Sequence, residues 1–162
     1  MADGQRDEHL ALENQLCFSL YAASRALTGL YRDLLDDLGL TYPQYLVLLA
    51  LWERDALTVK ELGRALRLDS GTLSPLLRRL ERAGLLDRRR SADDERVVEV
   101  TLTEEGERMR SRVWTVPGRV LCAAGLDPQQ AGELRRALDR LTASVESAPR
   151  GGRSRPVPGA GS

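Results

Sequence analysis

From about Glu8 to Asp37 the apolar residues recur at steps of three and four: Leu12, Leu16, Leu20, Ala23, Leu27, Leu30, Leu34 and Leu38. That spacing predicts a long amphipathic helix stopped by Gly39. Thr41-Tyr42-Pro43 opens a second helix through Tyr45, Leu46, Leu49 and Trp52. Its proline falls in the first turn, where a backbone donor is not needed. Thr58 and Glu61 form a T-x-x-E capping box for a short third helix ending near Leu68. Asp69-Ser70-Gly71-Thr72 caps a fourth, which Leu73, Leu76, Leu77 and Leu80 carry to Gly84. Pro75 deletes a donor inside its early turns, so an irregular start is expected.

The period then changes to two. Residues 85–90 and 96–102 read as strands flanking an acidic turn, Ser91-Ala92-Asp93-Asp94-Glu95. Two short helices followed by a hairpin is the winged helix-turn-helix order. Thr103 caps a further helix reaching about Ala124, with a kink or interruption expected at Pro117-Gly118. Asp127-Pro128 starts a last helix carried by Leu134, Ala137, Leu138 and Leu141. The expected fold is mainly α with a small β-hairpin wing. Residues 1–7 are expected to be a flexible N-terminus. The Pro-, Gly-, Ser- and Arg-rich stretch 148–162 reads as a disordered tail.

At 162 residues the chain is one domain's worth, and its net charge is zero. The distribution of that charge is more informative than its sum. Residues 1–59 hold 9 acidic and 4 basic side chains, a balance of −5. Residues 60–90 hold 4 acidic and 9 basic, a balance of +5, and residues 91–162 hold 11 of each. Positive charge is concentrated where the helix-turn-helix pattern falls, the electrostatic footprint of a nucleic-acid binder. The charged start excludes a signal peptide, and no apolar run approaches the roughly 18 residues of a membrane span. A cytoplasmic location without membrane contact is expected, and there thiols stay reduced unless something oxidises them. Cys17 and Cys122 fit neither a zinc motif nor a disulfide-rich scaffold. No metal and no cofactor is expected.

The fourth helix offers Ser70, Thr72 and Ser74 at its N-terminal end, followed by Arg78 and Arg79. Short hydroxyls and arginines suit base edges and phosphates of a double-stranded operator. The hairpin adds Arg88, Arg89, Arg90 and Arg96, suited to phosphates and the narrow minor groove. Near the N-terminus, Cys17 lies in the apolar and aromatic stretch Leu16-Cys17-Phe18-Ser19-Leu20-Tyr21. A buried cysteine on such a face is usually a small hydrophobe.

Three strings make the pattern particular. Leu57-Thr-Val-Lys-Glu-Leu, Arg78-Arg-Leu-Glu-Arg-Ala-Gly-Leu-Leu and the wing Asp94-Glu-Arg96 followed by Leu102-Thr-Glu-Glu-Gly106 resemble the MarR family of dimeric winged-helix regulators, over about residues 10–145. Within it, Glu13-Asn-Gln-Leu-Cys-Phe-Ser-Leu-Tyr, Leu40-Thr-Tyr-Pro-Gln-Tyr and Leu68-Asp-Ser-Gly-Thr-Leu-Ser-Pro resemble the organic-hydroperoxide-sensing repressors of the OhrR type. The resemblance implies a homodimer joined through helical regions 8–40 and 103–147, with 41–102 as the DNA-binding region. It implies that Cys17 is the peroxidatic sensor, hydrogen-bonded to the phenols of Tyr31 and Tyr42. In the two-cysteine form it implies that Cys122 resolves oxidised Cys17 as an intersubunit disulfide. Asp94 and Arg96 match the wing's D-x-R, whose arginine reaches the minor groove.

A sensor thiol must react as its anion. No Lys, Arg or His lies within a turn of Cys17, so phenol donors are the available stabilisers, Tyr21 at i+4 among them. Tyr31 is fourteen residues away, about 21 Å along one straight helix, so only a partner's Tyr31 could reach Cys17. The apolar neighbours Leu16, Phe18 and Leu20 suit an organic hydroperoxide as inducer. Two other readings stay open: a regulator that binds a phenolic compound noncovalently in the same interfacial cavity, and a thiol peroxidase. Against the peroxidase stand the lack of a thioredoxin-like βαβ order and of a nearby cation, so no enzyme is expected.

Overall fold

The computed structural model describes residues 10–91, 94 and 96–149. The segment 1–7, the wing-turn residues Ala92, Asp93 and Glu95, and residues 150–162 of the expected tail lie outside the described residues. The fold is mainly helical with one small antiparallel sheet, a winged helix. Its helices are α1 (Leu16–Leu35), α2 (Tyr42–Glu53), α3 (Val59–Leu66), α4 (Ser70–Arg82), α5 (Glu104–Val113), α6 (Val116–Ala123) and α7 (Pro128–Ser147). The strands are β1 (Ala56–Thr58), β2 (Leu86–Arg90) and β3 (Val98–Leu102). Two compact units divide after Val120.

In the first unit, α1 begins at Leu16 rather than near Glu8, after a 3-10 turn over Leu12–Asn14 and an extended Gln15. Leu10, Leu12 and Leu16 are exposed, so no burial holds the extra turns that the apolar period suggested. A second 3-10 turn, Asp36–Leu38, closes at Gly39, whose φ of 66° is a conformation glycine adopts without strain. Gln44 starts α2 by accepting through its side-chain oxygen from the backbone N–H of Thr41 at 2.8 Å. At α3 the capping box is complete: Glu61 accepts from the Thr58 N–H at 2.8 Å, and the Glu61 N–H donates to the Thr58 hydroxyl at 3.2 Å.

The sheet has the order β1-β3-β2. Its third strand, β1, pairs Leu57 with Val100, which sequence patterning missed because three residues are too few to show alternation. The α4 helix runs unbroken through Pro75, contrary to the expected irregular start. Proline's missing donor falls opposite the carbonyl of exposed Gly71, which water can serve. The kink or interruption expected at Pro117-Gly118 is an interruption a little earlier, at Trp114-Thr115, which divides the stretch after Thr103 into two helices. Pro117 cannot bond the Val113 carbonyl, and as the second residue of α6 it needs no donor.

Leu35, Tyr45, Val47, Leu48, Leu62, Leu73, Leu77, Leu80, Leu86 and Val100 form the core, sandwiched among α1, α2, the helix-turn-helix and the sheet. Gly106 lets α5 approach the Leu85 carbonyl so closely that a Cβ there would lie 2.0 Å from the oxygen. The indole of Trp52 donates to the Gly106 carbonyl at 3.1 Å, tying α2 to α5.

In the second unit, Asp127 caps α7 by accepting from the Gln130 N–H at 2.8 Å. No residue of α7 is buried, and Leu134, Leu138 and Val145 are exposed. Among the described residues, no helix is long and apolar enough to cross a membrane.

Candidate redox site and nucleic-acid interface

Cys17 is the second residue of α1, and its side chain is exposed rather than packed among apolar neighbours. Phe18 and Tyr21 beside it are exposed too. The Tyr21 hydroxyl accepts from Arg25 Nη1 at 3.1 Å, and the Arg25 guanidinium lies 5.6 Å from the Tyr21 ring centroid.

Tyr31 and Tyr42, eleven positions apart and on different helices, come together with ring centroids 4.4 Å apart and an interplanar angle of 36°. The two rings stack at a tilt, a favourable aromatic geometry. Sequence reasoning placed Tyr45 only as a helix-former, yet its ring is 5.8 Å from Tyr31. The i, i+3 spacing of Tyr42 and Tyr45 at the start of α2 was the available signal. Burial pushes all three phenols above their ordinary value, with the neighbouring phenols adding to the rise at Tyr31 and Tyr45. At neutral pH each therefore keeps its proton and can donate a hydrogen bond.

Tyr45 also lines a mainly apolar pocket of about 390 Å³ with Leu49, Trp52, Val113, Trp114 and Pro117, to which Glu53 and Arg110 add charged groups. Cys122, in the second unit, is exposed near the end of α6. Gly125 and Leu126 close that helix by donating to the Cys122 and Leu121 carbonyls at 3.1 Å each. Among the described residues no cluster of His, Cys, Asp or Glu is arranged to hold a metal.

The basic segment folds around a groove of about 860 Å³ between α3, α4 and the wing. Its lining brings Ser70 and Ser74 together with Arg88 and Arg96, and adds Arg64 and Arg67. The turn between α3 and α4 is tight: Arg67 adopts a left-handed φ of 55°, and Leu68 N–H donates to the Gly63 carbonyl at 2.9 Å. A Cβ on Gly63 would sit 3.0 Å from the Leu68 oxygen, so a small residue suits this approach.

The other nominated residues are placed differently. The Thr72 hydroxyl donates to Asp69 at 3.0 Å, and the Thr72 N–H donates to Asp69 at 2.9 Å, so Thr72 serves the cap of α4. Arg78 and Arg79 are exposed further along that helix. Arg78 Nε lies 3.5 Å from the Ser74 carbonyl. Arg89 is exposed, with Asp87 at 3.9 Å, and Arg90 is exposed at the end of β2. Asp94 accepts from the Arg96 backbone N–H at 3.0 Å, which shapes the wing tip.

Comparison with known proteins follows the same outline. A family model described as transcriptional regulator SarA/Rot matches residues 29–113. The organic hydroperoxide resistance transcriptional regulator of Bacillus subtilis is 49% identical over 140 residues, 86% of this chain and 93% of that protein. Reduced AbfR of Staphylococcus epidermidis bound to DNA superposes with a TM-score of 0.71 at 37% identity, covering 88% of this chain and 96% of that one. The disulfide-formed AbfR gives a TM-score of 0.57 at 39% identity, covering 86% and 98%.

Proposed function

Because the chain belongs to the MarR/SarA class of winged-helix transcriptional regulators, a family of regulators and not of enzymes, we propose that it is a thiol-based, peroxide-responsive repressor. As a homodimer it binds palindromic operator DNA through α4 and the wing. Organic hydroperoxide oxidises Cys17 to the sulfenic acid, with the hydroperoxide leaving as its alcohol. The Cys122 thiol of the partner then attacks that sulfur, expelling water and forming an intersubunit disulfide.

The observation that carries this reading is the Tyr31–Tyr42 pair. Two protonated phenols are held against each other at one end of a helix whose other end bears an exposed thiol. Fourteen residues of α1 span about 21 Å, so a chain's own Tyr31 is out of reach of its own Cys17. An antiparallel crossing of two α1 helices brings the partner's pair to the thiol. Exposed Leu16, Phe18 and Leu27 on α1, and Leu134, Leu138 and Val145 on α7, supply apolar surface for such a contact. The Bacillus subtilis relative, a regulator of organic hydroperoxide resistance, supports organic hydroperoxide as the oxidant, and the DNA-bound and disulfide-formed AbfR structures support DNA as the partner and a disulfide as the oxidised state.

A second reading rests on the 390 Å³ apolar pocket beside Tyr45, whose size and lining suit a noncovalently bound phenolic compound. The two are separated by operator binding before and after cumene hydroperoxide. Wild type should release DNA and regain it with a thiol reductant, whereas Cys17→Ser should stay bound. A serine variant that still lets go on oxidation refutes the sensor assignment.

A further inference from the structure

Arg88 sits in the middle of β2, between buried Leu86 and exposed Arg90. Its guanidinium does not extend into solvent with the other wing arginines. It reaches back to Glu81 near the end of α4, with Nε 3.0 Å and Nη2 2.5 Å from the same carboxylate oxygen. Both side chains are about two-thirds covered, at 27% and 35% exposure. Two donors converging on one oxygen is a planar fork contact that a lysine cannot reproduce. The hydrogen bond from Arg88 holds the Glu81 carboxyl below its ordinary value, so it stays anionic at neutral pH.

The groove that Arg88 lines is otherwise rich in cations, with Arg64, Arg67 and Arg96 around it. An acidic side chain joined to that wall opposes a polyanionic ligand, so its presence calls for a mechanical reason. Leu85, Leu86 and Val100 anchor only the base of the hairpin in the core, while the strand beyond Arg88 is exposed.

We propose that Arg88 is a positioning residue rather than a phosphate ligand: its ion pair with Glu81 clamps the wing to α4, so that Arg96 and the N-terminal end of α4 meet one duplex at a fixed spacing. The proposal rests on the operator-binding reading. It makes a prediction of unusual sign, because removing the Glu81 charge should weaken DNA binding although simple electrostatics would strengthen it.

The test uses the full chain and a duplex selected by the wild type from a random-sequence pool, with affinity measured between about 50 and 200 mM salt. Glu81→Gln and Arg88→Gln should each weaken binding about fivefold, the worth of a partly covered ion pair. The slope of log affinity against log salt should not change. The exchanged pair Glu81→Arg with Arg88→Glu should recover most of the loss, which separates positioning from a simple folding defect. If Glu81→Gln binds as well or tighter, and Arg88→Gln lowers the slope by about 0.9, Arg88 is a phosphate ligand and the clamp is wrong. A wild type that selects no duplex refutes the operator reading instead. Amide exchange in the DNA-free protein reads the clamp independently. Faster exchange across β2 and β3 in Glu81→Gln supports it, and unchanged exchange overturns it.

Discussion

Gly106→Ala would add one methyl group where the fold has no room for it. The new Cβ would lie 2.0 Å from the Leu85 carbonyl oxygen and 3.0 Å from Leu102 Cδ2. Reaching the 3.4 Å of ordinary contact requires α5 and the β2 entry to separate by about 1.4 Å. Neither side is free to yield. The Leu85 oxygen accepts from the Thr103 N–H at 3.2 Å, the Thr103 hydroxyl donates to the Gly84 carbonyl at 2.6 Å, and the Gly106 carbonyl holds the Trp52 indole. Overpacking of this kind costs about 1–3 kcal/mol, and each broken hydrogen bond about 1 kcal/mol more. The better helix propensity of alanine returns at most about 1 kcal/mol. The net loss is about 2–4 kcal/mol, a large part of the roughly 5–15 kcal/mol that holds a domain together. Urea unfolding followed by far-UV circular dichroism should show the midpoint falling by about 1–2 M, taking a slope of about 2 kcal/mol/M. Gly118→Ala is the control: it lies in a helix with nothing within 4 Å of the added atom. It should be neutral or stabilising by up to about 0.8 kcal/mol. Equal midpoints for Gly106→Ala and wild type would refute the close approach of α5 to the wing.

Arg96→Ala should weaken operator binding and reduce the salt slope by about 0.9 if its guanidinium meets a phosphate; an unchanged affinity removes the wing from the interface. The buried phenols predict a specific loss of stability in alkali. Tyr31, Tyr42 and Tyr45 hold their protons above the ordinary phenol value of 10.0, so above pH 10 the unfolded chain releases protons that the folded one retains. Stability present below that pH is lost as pH rises through the raised values. The urea midpoint should be level up to about pH 9.5 and then fall, less steeply for Tyr42→Phe; equal decline in both proteins would place the cause elsewhere.

Much of this architecture was legible in the residues themselves. The Thr58–Glu61 box, the Asp69 and Asp127 caps and the αL glycine at 39 are local devices, so local reading located α3, α4, α7 and the turn that follows α1. The start of α1 was not legible, because the apolar period continues upstream of Leu16 while burial does not. Nor was β1, whose three residues are fixed by pairing with β3 across more than forty positions of chain. At the candidate sites, the family resemblance nominated Tyr31 and Tyr42, but only the packing of α1 on α2 brings their rings into contact and adds Tyr45. Cation counting put Arg88 on the DNA face with its neighbours. It could not see that Glu81, seven positions earlier, accepts from Nε and Nη2 of its guanidinium.

In the proposed repressor one chain senses and the other responds. Mixing Cys17→Ser protein with Cys122→Ser protein, exchanging subunits and treating with cumene hydroperoxide tests it on a nonreducing gel. Only the mixed dimer pairs an intact Cys17 with an intact Cys122 across the interface. A covalent dimer should form in the mixture, reversed by reductant, and none from either variant alone. A mixture that stays monomeric on the gel while wild type forms a disulfide within one chain would contradict it.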